Sequence, residues 1–290
     1  MRFCIYGNPT IDIIKEIPHS EYVEYGGGSY YSSLPLIKRG LSIEVYAVYS
    51  PAVSGHPVAE YIIKQQYSSN VNTFKIEYHG LNRTLSVVDK APQIYDWNTH
   101  VGFCYVIVNP VLGEVSINML RRIKLNSLIL AVDLQGYLRK IVDGNIILEY
   151  NPDIEVVFEL ADVIHADLDE YEVISRNLNS TNIQVQALKK LRGVLVVTAR
   201  PNRIFIITSN KTKIIELNED YYAQVKTGAG DYFLATYTYY YCKTSDEEES
   251  SYLAHEHTTR WLMYRDNMRL HHTPTTQHNS STRVFKNTSP

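Results

Sequence analysis

Short apolar runs rich in β-branched and aromatic residues recur along this chain with amphipathic segments between them, and that alternation limits the folds open to it. FCIY is followed by SLPLIKRG, IEVYAV and AEYIIKQQ, and later come CYVIV, INMLRRI, LILAVD, ADVIHAD and VLVVTA. Continuous apolar strands are buried on both faces, so the pattern predicts an α/β fold whose mostly parallel sheet is covered by helices on either side. One stretch departs from it. Residues 73–78 and 83–88 are alternating runs joined by HGLN, which predicts an antiparallel hairpin. With an extended segment across residues 17–25 it would form a small sheet off the main body, either a lid over a ligand or an edge of the main sheet.

With 290 residues, 44% of them hydrophobic, the chain can bury one large core. Residues 1–264 are read as one domain and residues 265–290, rich in Thr, Asn, His and Ser, as a polar, irregular tail. His271, His272 and His278 have no carboxylate or thiolate at ligand spacing and read as solvated. A net charge of -3 with dispersed Lys and Arg argues for a small-molecule partner and against nucleic acid or an acidic membrane. No run approaches membrane-spanning length, and no export signal is evident. Cys4, Cys104 and Cys242 are odd in number and far apart, which suits free thiols in a cytoplasmic protein, monomer or homodimer.

The strongest chemical signal is Thr227-Gly228-Ala229-Gly230-Asp231, set immediately before the helix-compatible run YFLATYTYYY. Small residues at a helix start leave backbone N–H groups free to face an anion, and the helix dipole favours phosphate there. Asp231 falls in the first turn, where a carboxylate beside phosphate would serve as a base, or would only complement the dipole. There is no GxxxxGK[ST] loop, and Phe233 stands where a dinucleotide fingerprint needs its third Gly. Near the amino terminus, GNPTID places Asp12 after the first strand, and Gly26-Gly27-Gly28 precedes a helix. A carboxylate can accept hydrogen bonds from vicinal hydroxyls, and glycines let backbone approach a polyol ring; a turn Asp and a flexible loop explain them as well.

Taken in order, GNPTID, GGGSYYSSLPLIKRG, VNPVLGEVS, AVDLQGYLR, ADVIHADLDEYEVI and KTGAGDYFLATY resemble the ribokinase-like (PfkB) carbohydrate kinases, nearest the archaeal branch that includes myo-inositol 3-kinase. The resemblance spans about residues 1–262. It implies a three-layer fold with a mostly parallel central sheet and a small β-sheet lid, and transfer of phosphate from ATP, with Mg²⁺, to a hydroxyl of a sugar or cyclic polyol. A nucleoside acceptor, or a non-catalytic polyol-binding protein, is the alternative.

Carried over by residue, it makes Asp231 the catalytic base and Gly228, Ala229 and Gly230 the anion hole. Asp12, Gly27, Gly28, Gln135 and Arg139 become substrate-binding, and Thr198 and Thr227 nucleotide-binding. Glu170 and Asp167 would organise magnesium, although their spacing is also that of a helix capping box. Relatives often carry Asp-Thr-x-Gly-Ala-Gly-Asp, whose first Asp helps hold a monovalent cation. Here Val225 and Lys226 stand at the first two positions. Either the Lys226 ammonium supplies the charge or the site is absent, and activity should not need potassium. The segment TARPNR replaces the usual glycines near the nucleotide phosphates, with Arg200 or Arg203 facing phosphate or solvent.

Overall fold

The apolar runs pair as their alternation requires. The computed structural model describes residues 1–16, 20–79, 82–178, 190–199, 202–217, 223 and 225–272. Its first half runs β1 (Arg2–Tyr6), β2 (Thr10–Glu16), β3 (Ser20–Gly26), α1 (Gly28–Ile37), β4 (Ser42–Tyr46), β5 (Asn72–His79), β6 (Asn82–Asp89), β7 (Cys104–Val108) and α2 (Ile117–Leu125). There follow β8 (Ser127–Asp133), α3 (Gln135–Leu138), β9 (Arg139–Val142), β10 (Asn145–Leu148), α4 (Asp153–Leu160), β11 (Val163–Asp167) and α5 (Leu168–Leu178). Last come β12 (Val194–Ala199), β13 (Arg203–Ile207), β14 (Thr212–Glu216), α6 (Ala229–Thr244) and α7 (Glu247–His272).

Eight strands form the main sheet in the order β14-β13-β12-β11-β8-β7-β1-β4. The pairs from β4 to β12 are parallel, and β13 and β14 are added antiparallel. Side chains alternate across it, as the two-residue period of a strand dictates. Phe3 and Ile5 pack with Leu36 of α1 and Phe233, Leu234 and Tyr237 of α6. Cys4 and Tyr6 face the opposite layer, with Met119, Leu120 and Ile123 of α2 and Val157 and Phe158 of α4. The chain leaves β1 toward β4 on one side and returns to β7 on the other, so the order reverses between β1 and β7. Open α/β sheets bind ligands in the crevice at the carboxyl ends of strands beside such a reversal.

The second sheet has six strands in the order β3-β2-β5-β6-β10-β9. The expected hairpin is β5 and β6, antiparallel, with β2 and β3 beside it; residues 17–19 and the turn residues 80 and 81 lie outside the described residues. β9 and β10, which the sequence reading lacked, pair around Asp143 and Gly144, both at positive φ (49° and 78°). That is the conformation for which Asp-Gly is favoured in tight hairpins.

Several expectations need correction. Asp12 lies within β2 of the second sheet, paired between Glu24 and Phe74, instead of at the end of β1. Gly7-Asn8-Pro9 carries the chain straight from the main sheet into the lid, so the strand containing Asp12 forms part of the cavity's cover. Helix α7 runs on to His272, past the point where polar composition suggested irregular chain. Extending a helix already docked on α6 costs little even for polar residues. Residues 273–290, His278 among them, lie outside the described residues. Cys4 and Cys104 form a disulfide instead of remaining free thiols: β1 and β7 are neighbours, and their Cα atoms stand 6.2 Å apart despite a separation of 100 residues. Cys242 is free. Among the described residues no helix is long and apolar enough to cross a membrane.

Candidate active site

Between the carboxyl ends of the main strands and the second sheet lies a cavity of about 420 Å³. It brings together all of Asp12, Gly27, Gly28, Gln135, Arg139, Asp167, Glu170, Thr198, Thr227, Gly228, Ala229, Gly230 and Asp231. Residues far apart in the chain converge because Asp167, Thr198 and the starts of α1, α3 and α6 lie at the carboxyl edge of the main sheet, while Asp12 and Arg139 come from the second sheet.

Helix α6 opens on Gly228, whose φ of 81° puts it in the left-handed region. A Cβ there would also run into the Tyr31 ring, so both backbone and packing demand glycine. The Ala229 amide closes a turn onto the Lys226 carbonyl (3.0 Å). Those of Gly230 and Asp231 are first-turn amides, which have no carbonyl within the helix to meet. Beneath Gly230 lies His165; a Cβ at Gly230 would come within 2.9 Å of its Cε1.

The Asp231 carboxyl is buried and its Oδ1 accepts hydrogen bonds from Asn109 Nδ2 and Gln135 Nε2, each at 3.1 Å. Asn109 also donates to the Ser32 hydroxyl. Two amides thus fix one carboxylate oxygen. Burial first, then neighbouring Asp133, push the Asp231 carboxyl up to about 7, against the pull of Arg139, His165 and the Asn109 hydrogen bond. A base at this value is half ionised near neutrality. Because the unprotonated form accepts a proton, any reaction it assists should slow about tenfold per pH unit below about 7 and level off above it. The side-chain carbon resonance of Asp231, assigned by its loss in Asp231→Asn, should titrate near 7 and move down in Asp133→Asn, which removes a facing negative charge. A midpoint in the ordinary carboxylate range would mean that water reaches the group.

Asp133 ends β8 and holds its neighbours in place. Its Oδ1 accepts from the Gln135 amide (2.9 Å) and its Oδ2 meets His165 Nδ1 (2.8 Å), while His165 Nε2 meets the Thr198 hydroxyl (3.2 Å). The Thr227 hydroxyl meets Tyr78 Oη at 2.9 Å, tying β5 of the second sheet to the loop before α6. Arg139 donates to the Val111 carbonyl (3.3 Å) and lines the cavity, which decides against a surface Arg. Asp12 Oδ1 accepts from Thr10 Oγ1 (2.7 Å) beside the Gly26-Gly27-Gly28 loop.

Asp167 and Glu170 realise the capping box: the Asp167 amide donates to Glu170 Oε2 (2.9 Å) and the Glu170 amide to Asp167 Oδ1 (2.8 Å). One oxygen of each carboxylate is left for other work. Burial, then Asp167 and Asp133, hold the Glu170 carboxyl well above the usual range. Asp12, Asp133, Asp167, Asp169, Glu170 and Asp231 all line the cavity, facing Arg139, Arg203 and Lys226. The carboxylate oxygens among them are of the kind that suits magnesium. Arg203 pairs with Glu216 at 3.4 Å, and Arg200 lies outside the described residues.

Asn109, Asp133 and His165 were assigned no role from the sequence. Asn109 and Asp133 each stand where an apolar strand run ends, which is the signal that could have found them.

No protein-family model matches the chain, and no curated protein is similar to it in sequence. Solved structures do resemble it. A pyrophosphate-dependent kinase in the ribokinase family, determined as a sulfate complex, superposes with a TM-score of 0.72 at 16% identity, covering 89% of this chain and 94% of that one. A structure of such a kinase with a pyrophosphate analogue and myo-inositol gives 0.70 at 17% identity, covering 89% and 94%. The nucleoside kinase of Methanocaldococcus jannaschii, an archaeal member of the same family, gives 0.68 at 16% identity, covering 92% and 98%. The fold is ribokinase-like. In this ribokinase-like chain the eight-stranded sheet is the central layer, and the six-stranded sheet contains the expected hairpin together with β2, β9 and β10, which were not foreseen in it.

Proposed function

We propose that this chain is a kinase that transfers the terminal phosphoryl group of ATP to a hydroxyl of a sugar or cyclic polyol, with myo-inositol the favoured acceptor. The observation that carries the reading is Asp231: a buried carboxylate in the first turn of α6, one oxygen clamped by Asn109 and Gln135, lining the cavity. The likeness to kinases of sugars, inositol and nucleosides supports the reaction class.

In this mechanism Asp12 and the Gly27-Gly28 backbone hold the acceptor's hydroxyls, and Phe74, Ile76 and Leu85 of the lid exclude water that would compete as acceptor. Asp231 takes the proton of the attacking hydroxyl. The amides of Gly228 and Gly230 face the charge of the phosphoryl group in flight, already oriented before it develops. Asp167 and Glu170 would hold magnesium through the oxygens their capping box leaves, and the ion would neutralise phosphate charge.

The test is a panel of myo-inositol, ribose, fructose and nucleosides, with ATP and pyrophosphate as donors, read by formation of the phosphate ester. The expected product is an inositol monophosphate from ATP. Esters of nucleosides alone would move the acceptor class. Polyol binding without binding of either an ATP analogue or pyrophosphate, read by calorimetry, would replace the kinase with a non-catalytic binding protein.

A further inference from the structure

Three successive carbonyls lead into the anion-hole helix, and each has a partner. Lys226 O accepts from the Ala229 amide at 3.0 Å. Those on either side, Val225 O and Thr227 O, both accept from one guanidinium, that of Arg265 on α7. Arg265 Nη1 donates to Thr227 O at 2.8 Å and Nη2 donates to Val225 O. The guanidinium lies over the Trp261 ring, 4.6 Å from its centroid. Trp261 in turn stacks on Tyr232 of α6 (4.6 Å, 4° between planes) and meets Tyr31 of α1 edge-on (5.8 Å). Tyr31 is the ring that closes over Gly228. One cation is therefore fixed by α7 against the loop, with an aromatic ladder holding helix, loop and α1 in one arrangement.

The chemistry follows from the peptide unit. Thr227 O belongs to the same peptide as the Gly228 N–H, so a guanidinium hydrogen bond to that oxygen draws electron density from the amide and strengthens it as a donor. A rigid two-pronged donor also fixes the spacing of the two carbonyls, which a freely rotating ammonium does not. We propose that Arg265 is a built-in cation of the anion hole, a positioning residue that polarises the Thr227–Gly228 peptide and locks the loop that presents phosphate to Asp231. This rests on the kinase reading and assigns the cationic role to Arg265 in place of Lys226.

The experiment reads anion binding directly, with inorganic pyrophosphate as probe and calorimetry on the full chain. Arg265→Met, which keeps an unbranched apolar stem, is expected to bind pyrophosphate about 10- to 100-fold more weakly, the value of one charge-assisted hydrogen bond. Arg265→Lys should fall between. Arg265→Ala should recover binding when methylguanidinium is added at matched ionic strength, whereas the unaltered protein should not respond. Thermal melting of each variant controls for folding, and Arg265→Lys decides if the smaller side chains do not fold. Wild-type affinity in Arg265→Met would overturn the inference and leave the kinase reading standing. So would a loss that methylguanidinium does not restore in a folded Arg265→Ala, since that marks a structural brace alone. If the unaltered protein binds neither pyrophosphate nor an ATP analogue, the kinase reading fails and the inference with it.

Discussion

Asp231→Asn should lose turnover by about 10²- to 10⁴-fold, the usual worth of a positioned general base, while the Michaelis constant of the acceptor stays close to its original value. The substitution is nearly isosteric, and its amide oxygen can still accept from Asn109 and Gln135, so the site should keep its shape. The same change should stabilise the fold. A carboxyl whose folded pKa is raised to about 7 contributes full stability only below its unfolded value, and loses it as pH climbs through about 7 and the buried group ionises. Asparagine never ionises, so above pH 7 the variant should melt a few degrees higher than the parent, and in acid the difference should vanish. Steady-state kinetics and melting curves across pH check both halves. A variant that keeps most of its rate would remove Asp231 as the base; one that is destabilised at high pH would show that the carboxylate is compensated in the folded state.

How much of this was legible depended on where the information lies along the chain. The run from Gly228 to Asp231 could be read directly, because a helix start is a local structure and its requirements for small residues and an acidic first turn are met within four positions. Continuous apolar runs likewise gave the parallel sheet, since burial on both faces leaves a signature in each strand alone. Asn109, Asp133 and His165 are different. Each is one polar residue at or near a strand end, and nothing nearby says that three strands will stand side by side and gather them near the start of α6. Cys4 and Cys104 were hidden for the same reason, as their proximity is a property of strand order. Arg265 was obscured by composition: a polar stretch read as irregular proved to be the continuation of α7. Gln135, expected at the substrate, donates to the Asp231 carboxyl.

The site also depends on a carboxylate that takes no part in the chemistry. Glu114 is 2% exposed, and its Oε1 accepts from the amides of Asn8 and Val111, both at 3.0 Å. Its Oε2 accepts from Val111 (2.9 Å) and Leu112 (2.8 Å). Asn8 in turn receives the Val48 amide on its own side chain at 2.9 Å. One acidic group thus gathers the exits of β1 and β7, the two strands between which the sheet order reverses, and between them sit Gly28 and Asn109. Glu114→Ala leaves three buried N–H groups unsatisfied and should cost about 3–4 kcal/mol, a large share of the 5–15 kcal/mol typical of a folded domain. Glu114→Gln keeps one accepting oxygen but turns an NH₂ toward amide donors, and should cost about 2 kcal/mol. In urea both should lower the unfolding midpoint with little change in slope, because the surface exposed on unfolding is the same. A change below about 0.5 kcal/mol in the alanine variant, the range of ordinary surface substitutions, would mean that these amides find water instead. In that event β1 and β7 would be held together by packing alone, and the alignment of Asn109 on Asp231 would have to come from α1 and α6.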